Sequence, residues 1–167
     1  MPYNKYDNEA AVSYALKYAV RPNQAYPYIA FHGDGGGDCT NFISQCLHFG
    51  GAPMDFKSSR PWWYKSVGNF KKWSLSWASA HSLYWCLKIR GIHDMPGIKG
   101  IETPDINILS FGDIIQYENS KGVIYHSAMV TAFDSRGPLI SQHSYDAENI
   151  SYVKPAAKMH FMKIIVD

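Results

Sequence analysis

The stretch "GDGGGDCTNFISQC", residues 33–46, changes from a glycine-rich loop to a helical pattern at Cys39. Four glycines and two aspartates fill positions 33–38, and the apolar residues that follow recur at the spacing of an amphipathic helix. The sequence therefore predicts a helix over 39–49, with Asp38 as its N-cap and the two glycines at 50 and 51 as its C-terminal stop.

A cysteine at the first position of a helix is suited to nucleophilic chemistry. The free backbone N–H groups and the positive end of the helix dipole stabilise a thiolate there, and the same N–H groups can bind an oxyanion. Glycines before Cys39 let a substrate backbone approach closely. The alternative is a small buried residue that happens to begin a helix, which is the role we expect for Cys46 and Cys86.

A cysteine nucleophile needs a base and a group that orients the base. His126 lies early in the apolar run "IYHSAMV", and strand alternation predicts that it shares a face with Ala128 and Val130, directed toward the helix of Cys39. In the next run, "LISQHSYD", His143 is the first candidate for the orienting group, with Gln142 and Ser141 as alternatives. An imidazole or an amide can hold one histidine tautomer through a hydrogen bond.

The order of elements is typical of an α+β domain. Helices are predicted over 7–20, capped by Asp7, over 39–49, and over 79–90, stopped by Gly91. Residues 52–78 and 92–110 are predicted to be irregular. From residue 113 onward, four apolar runs separated by turn residues predict an antiparallel meander.

Composition limits the classes of function. The 167 residues fit one domain, 1–167. A net charge of +2 does not indicate a basic surface that binds nucleic acid. No apolar segment is long enough to span a membrane, and three cysteines do not make a disulfide framework. No signal peptide is recognised at the N-terminus, so we expect a bacterial cytoplasmic or phage-type protein or an excised domain of a secreted one.

Cofactor sites are not predicted. Asp34 to Asp38 lacks the alternating acidic ligands of a calcium loop, and nothing in the spacing of Cys39, His126 and His143 requires zinc. The aromatic clusters around "PWWYKS" and "KKWSLSW" predict that Trp62, Trp63 and Trp77 contribute to a substrate-binding groove, with other rings in the core.

Four motifs carry a family resemblance: "GGDCTNFISQCLHFGG", "SFGDIIQY", "HSAMVT" and "PLISQHS". In order and spacing they resemble the "putative amidase domain" family, which is similar to the papain-like NlpC/P60 and CHAP cell-wall hydrolases, and the match runs from about Tyr3 to Ser144. The resemblance implies a papain-like α+β fold in which the helix of Cys39 packs on the sheet. It also implies Cys39 as nucleophile, His126 as base and His143 as third member, with Gln142 as the competing assignment.

The sequence therefore predicts a thiol-dependent amidohydrolase, and the resemblance implies that its substrate is an amide of bacterial peptidoglycan. Two other classes of function stay open. One is an acyltransferase or deamidase toxin that uses the same cysteine on a host protein, and the other is an inactive module that binds cell wall.

Overall fold

The computed structural model describes residues 4–30 and 37–167, which form an α+β arrangement with antiparallel sheets. The helices are α1 (Asn8–Tyr18), α2 (Asp38–Phe49), α3 (Leu75–Ala78) and α4 (Ala80–Ile92), and a 3-10 helix covers Ile106–Ile108. The strands are β1 (Tyr64–Val67), β2 (Phe70–Trp73), β3 (Ile98–Thr103), β4 (Ile114–Glu118), β5 (Ile124–Asp134), β6 (Gly137–Gln142), β7 (Ala147–Ser151) and β8 (Lys158–Val166).

The three predicted helices are present, with shifted ends. The side chain of Asp7 accepts a hydrogen bond from the N–H of Ala10, so the predicted cap of α1 is confirmed. Gly50 is the C-cap of α2. Gly91 does not stop α4, which continues to Ile92. A side chain at Gly91 would collide with the carbonyl of Gly100, so glycine is needed there for the close packing of α4 on β3.

The main sheet has the strand order β3-β8-β4-β5-β6-β7. Strands β4 to β6 follow the predicted meander. Strand β7 was not predicted, because its region was expected to be a turn, and β8 returns to pair between β3 and β4, so the simple meander was wrong for the last predicted strand. Strand β3 lies in the region 92–110, and the β1–β2 hairpin lies in the region 52–78. Both regions were expected to be irregular, and that expectation was wrong.

The sheet separates two hydrophobic clusters. The larger one joins α1, α2 and α4 to one face of the sheet and includes Met129. The smaller one lies on the opposite face and includes Tyr117, Ala128, Val130 and Ile140. The alternation of β5 therefore sends Met129 toward the helices and its neighbours Ala128 and Val130 away from them.

Candidate active site

Cys39 lies in the first turn of α2 with only 3% of its surface exposed. Its Sγ is 3.6 Å from the hydroxyl of Thr40, and the backbone N–H of Ser127 hydrogen-bonds to the thiol. The side chains of Thr40 and Ser127 also contact each other, with 3.2 Å between their hydroxyl oxygens. These contacts hold Cys39, the candidate nucleophile, against Ser127 of β5, which directly follows His126.

Burial raises the pKa of the Cys39 thiol, and the nearby carboxylate of Asp38 adds to that rise. Hydrogen bonds from the Thr40 hydroxyl and from the N–H groups of Thr40 and Ser127 act in the opposite direction but do not cancel it. The expectation of a stabilised thiolate is therefore wrong for the resting protein. Removal of water from around the sulfur outweighs the favourable N–H groups of the helix terminus.

The side chain of His126 does not point into the core between α2 and the sheet. It pairs in register with Tyr117, whose ring centroid is 5.5 Å from the imidazole, and so belongs to the face of the smaller cluster. Ser127 is the residue that points to α2, as its contact with Thr40 shows. The predicted direction of the His126 face was wrong, although its shared face with Ala128 and Val130 is confirmed.

Gln142 is the side chain that contacts His126. Its Oε1 lies 2.8 Å from Nε2 of His126, and its own Nε2 donates to the carbonyl of Tyr145 at 2.9 Å. Because the amide N–H₂ is directed to Tyr145, the oxygen faces the imidazole, and Nε2 of His126 must carry the proton. Nδ1, which has no hydrogen-bond partner among the described residues, is then the basic nitrogen.

The pKa of His126 is lowered to about 4, because burial disfavours the imidazolium. The hydrogen bond to Gln142 opposes this shift, whereas the positive charge of Lys154 adds to it. At neutral pH His126 is therefore a neutral imidazole that can accept a proton.

The turn after Gln142 has an unusual backbone. Ser144 and Tyr145 both have positive φ, at 56° and 81°, although neither is glycine. The Tyr145 side chain is 92% exposed, so packing does not hold it there. Its carbonyl, however, is the acceptor that fixes the amide of Gln142. Left-handed backbone at a non-glycine residue costs free energy and is concentrated at functional sites.

His143 does not orient His126, so its assignment as the third member is a correction. Its Nδ1 contacts the carboxylate of Asp38, and its Nε2 lies 2.8 Å from the carbonyl of Tyr18. Its ring is stacked on Phe42, with 4.0 Å between the ring centroids. The physical reason is the alternation of an extended chain: Gln142 is the last residue of β6 and His143 directly follows it, so their side chains point to opposite sides.

Asp38 is the first residue of α2 and not its N-cap, which is Gly37. Its Oδ1 accepts hydrogen bonds from the backbone N–H of Ile29 and from the amide of Asn41, while its Oδ2 contacts His143. Asp38 and His143 each have only 1% of their side-chain surface exposed. The pair therefore ties the beginning of α2 to the end of β6 and to the segment that precedes the glycine loop.

The three tryptophans have different positions. Trp62 and Trp77 are fully buried, and their indole N–H groups donate to Ser44 and Asn41 of α2, so their assignment to a substrate groove was wrong. Each donates to a polar side chain of the helix interior, which anchors α2 in the core. Trp63 is half-buried and lines a pocket of about 590 Å³.

That pocket is bordered by other side chains that were not predicted as site residues. Trp85, which is 42% exposed, and His81 lie on its wall. Nδ1 of His81 lies 3.2 Å from the backbone N of Ile124, two residues before His126.

Thr40 and Ser127 were also not predicted, although each is a polar residue at a position otherwise surrounded by buried side chains. Ser127 interrupts the apolar run "IYHSAMV", which is a sequence signal that could have found it, whereas nothing in the sequence marks Thr40. Residues 33–36 of the glycine loop, including Asp34 of the calcium alternative, lie outside the described residues.

Within residues 4–30 and 37–167, no group of three or more His, Cys, Asp or Glu side chains is arranged to hold a metal ion. None of the helices in this part of the chain has the length and apolar character needed to cross a membrane.

Residues 5–165 match the family model described as "Putative amidase domain". The chain belongs to this family. It is 33% identical over 174 residues to uncharacterized protein YhbB of Bacillus subtilis (strain 168), covering 98% of this chain and 51% of that protein. It is 28% identical over 147 residues to uncharacterized protein YjcM of the same strain, covering 87% of this chain and 32% of that protein.

The chain thus spans about half of YhbB and about a third of YjcM. No solved structure matches it. Membership in the family indicates amide hydrolysis as the general activity.

Proposed function

We propose that the protein is a cysteine-dependent amidohydrolase of papain-like type, in which Cys39 is the nucleophile, His126 the base and Gln142 the orienting residue. The observation that carries the proposal is the hydrogen bond between Gln142 Oε1 and His126 Nε2. It leaves Nδ1 as the basic nitrogen on the residue adjacent to Ser127, whose N–H contacts the thiol of Cys39.

The first half-reaction begins with a neutral thiol and a neutral imidazole, because burial raises the pKa of Cys39 and lowers that of His126. In this proposal the sulfur, which lies at the backbone N–H of Ser127, is reached by Nδ1 of the preceding residue, His126. As sulfur attacks the amide carbonyl carbon, the thiol proton passes to that nitrogen. The carbonyl oxygen becomes an oxyanion, to which the N–H groups at the beginning of α2 can donate. The imidazolium then protonates the leaving amine, and the carbon–nitrogen bond breaks to leave a thioester.

The second half-reaction restores the enzyme. His126, again neutral, takes a proton from water as the water oxygen attacks the thioester carbonyl. The carbon–sulfur bond breaks, the proton returns from His126 to the sulfur of Cys39, and a carboxylic acid leaves. Gln142 accepts a hydrogen bond from Nε2–H throughout, so the same nitrogen exchanges the proton in both halves.

The substrate we propose is an amide of bacterial peptidoglycan. Support comes from the family resemblance to NlpC/P60 and CHAP hydrolases and from the place of Cys39 at the beginning of a helix that packs on an antiparallel sheet. The half-buried Trp63 and the exposed Trp85 border a pocket whose indole faces suit a sugar ring or an apolar side chain.

Release of dye from labelled bacterial cell wall tests the activity and the nucleophile together. We expect the wild type to solubilise dye, Cys39→Ser to bind wall without solubilising it, and Cys46→Ser to retain activity. Cys46 is a matched control because it lies on the same helix and is fully buried. Binding without release by the wild type would indicate a wall-binding module, and neither binding nor release would indicate a protein-directed transferase or deamidase.

Inactivation by iodoacetamide tests the protonation state of the pair. A neutral thiol with a raised pKa predicts that the rate of Cys39 alkylation rises with pH up to and beyond pH 9. A preformed thiolate–imidazolium pair would instead give a rate that is flat across neutral pH. Peptide mapping would establish that Cys39 is the residue modified.

A further inference from the structure

The β1–β2 hairpin holds two lysines directly opposite each other. Lys65 pairs in register with Lys72, and both side chains are exposed. Neither forms an ion pair with a described carboxylate. Like charges at directly opposed positions destabilise an antiparallel pair. This arrangement therefore costs stability, and no described ion pair compensates for it.

The next pair on the same face toward the hairpin tip is apolar and also exposed. Val67 is opposite Phe70, and the two side chains are 58% and 76% exposed. They share one face with Lys65 and Lys72, because positions two apart on a strand point the same way. We call these four residues the outer face. They line a depression of about 320 Å³ that includes no acidic residue.

The inner face of the hairpin is anchored to the domain. Tyr64 is buried, and its ring is stacked with Trp73 across the hairpin at 6.4 Å and with Trp77 of α3 at 5.6 Å. The hairpin is thus held by aromatic packing on one side while its other side stays in solvent. The outer face therefore belongs to a hairpin that is packed on the domain, and not to a free loop.

The outer face combines an apolar tip with cations directly behind it. An anionic lipid surface complements both features, because apolar side chains gain burial at the headgroup boundary and lysines gain attraction from lipid phosphates. A soluble polyanion would satisfy only the lysines and would leave Val67 and Phe70 in water. We propose that the outer face of the β1–β2 hairpin binds the surface of an anionic lipid bilayer, independently of the hydrolase chemistry.

Co-sedimentation with lipid vesicles tests this proposal. We expect the protein to sediment with vesicles of equal parts phosphatidylcholine and phosphatidylglycerol, less so at high salt, and not with vesicles of phosphatidylcholine alone. Phe70→Ser and the double variant Lys65→Ser/Lys72→Ser should each weaken partitioning on the order of tenfold or more. Lys121→Ser/Lys158→Ser is the charge-matched control, because both lysines are exposed elsewhere, and it should bind like the wild type.

Three results would overturn the proposal. One is the absence of vesicle binding, another is equal loss in the hairpin and control lysine variants, and the third is vesicle binding by Phe70→Ser that is as tight as that of the wild type. Thermal unfolding adds an independent criterion. Lys65→Ser/Lys72→Ser should be as stable as the wild type or more so, because the cross-strand repulsion is relieved. A marked fall in its Tm would show that the lysines serve the fold.

Discussion

Gln142 and His143 are adjacent in the chain, yet their side chains serve different parts of the site. Oε1 of Gln142 lies 2.8 Å from Nε2 of His126, whereas the ring of His143 contacts the carboxylate of Asp38. Strand alternation separates the two side chains, so one orients the candidate base and the other anchors the helix of the candidate nucleophile. Substitutions at these neighbours should therefore have different kinds of effect.

Replacement of Gln142 by alanine should lower turnover with little change in folding. Without the amide, neither the tautomer nor the direction of the His126 ring is fixed, and we expect to lose on the order of 10²-fold in kcat, within the range of general-base catalysis. Dye release under saturating wall, with circular dichroism as the folding control, measures this. A turnover close to that of the wild type would show that His126 needs no orientation by Gln142.

Gln142→Glu gives a more specific readout than alanine. A carboxylate beside Nε2 favours the imidazolium, so the pKa of His126 should rise from about 4 and the acid limb of kcat/KM should move to higher pH. A change that was merely structural would lower the rate without moving this limb.

Substitutions of the Asp38–His143 pair should act first on stability. His143→Ala leaves Oδ2 of the buried Asp38 side chain without its hydrogen-bond partner, which typically costs about 1–3 kcal/mol. Asp38→Asn combined with His143→Gln should recover part of that loss, because two amide side chains can hydrogen-bond to each other. A double-mutant cycle of Asp38→Asn, His143→Gln and their combination, followed by urea unfolding, measures the coupling between the two side chains. Additive effects of the two single substitutions would contradict it.

The local features of the site follow from the sequence better than its long-range contacts do. The helix of Cys39 and the strand of His126 are fixed by apolar periodicity and glycine stops, and both were predicted. The choice between Gln142 and His143 depends on the register of β5 with β6, where Met129 pairs with Ser141. A shift of one residue exchanges the faces, and a single sequence does not specify that register.

The sequence pattern also did not predict which side chains of the site are buried. Trp62 and Trp77 lie in a segment without clear periodicity, and only the folded chain brings their indole N–H groups to polar side chains inside α2. Similarly, a thiolate was expected at Cys39 only because this residue lies at the N-terminus of a helix. The desolvation that raises the pKa of Cys39 comes from the packing of β5 against that terminus.

Stability should depend on His126 below neutral pH. The pKa of this imidazole is about 4 in the folded protein against 6.5 as its ordinary value. Above pH 6.5 the His126 imidazole is neutral in both the folded and the unfolded state. As the pH falls from 6.5 to 4, this imidazole becomes protonated in the unfolded chain but stays neutral in the folded one. The folded state should therefore lose about 3 kcal/mol across this window through His126 alone.

Urea unfolding of the wild type and of His126→Gln at pH 7 and at about pH 4 isolates this contribution, because the other titrating groups are common to both proteins. The wild type should lose more stability than the variant over the interval. Parallel loss in the two proteins would mean that His126 is protonated as easily in the folded state as in the unfolded one.

Tyr145 should matter through its backbone and not through its ring. Glycine adopts its φ of 81° without steric cost, so Tyr145→Gly should raise the free energy of unfolding by up to about 1 kcal/mol, with part of the relieved strain offset by the entropy of glycine. The carbonyl would still accept from Gln142, so kcat should be retained. Tyr145→Val should be less stable than the wild type, because a β-branched residue tolerates positive φ poorly.

Urea unfolding measures the stability of the wild type, Tyr145→Gly and Tyr145→Val, and dye release measures their kcat. A raised KM in Tyr145→Gly with unchanged kcat would instead assign the exposed ring of Tyr145 to substrate binding.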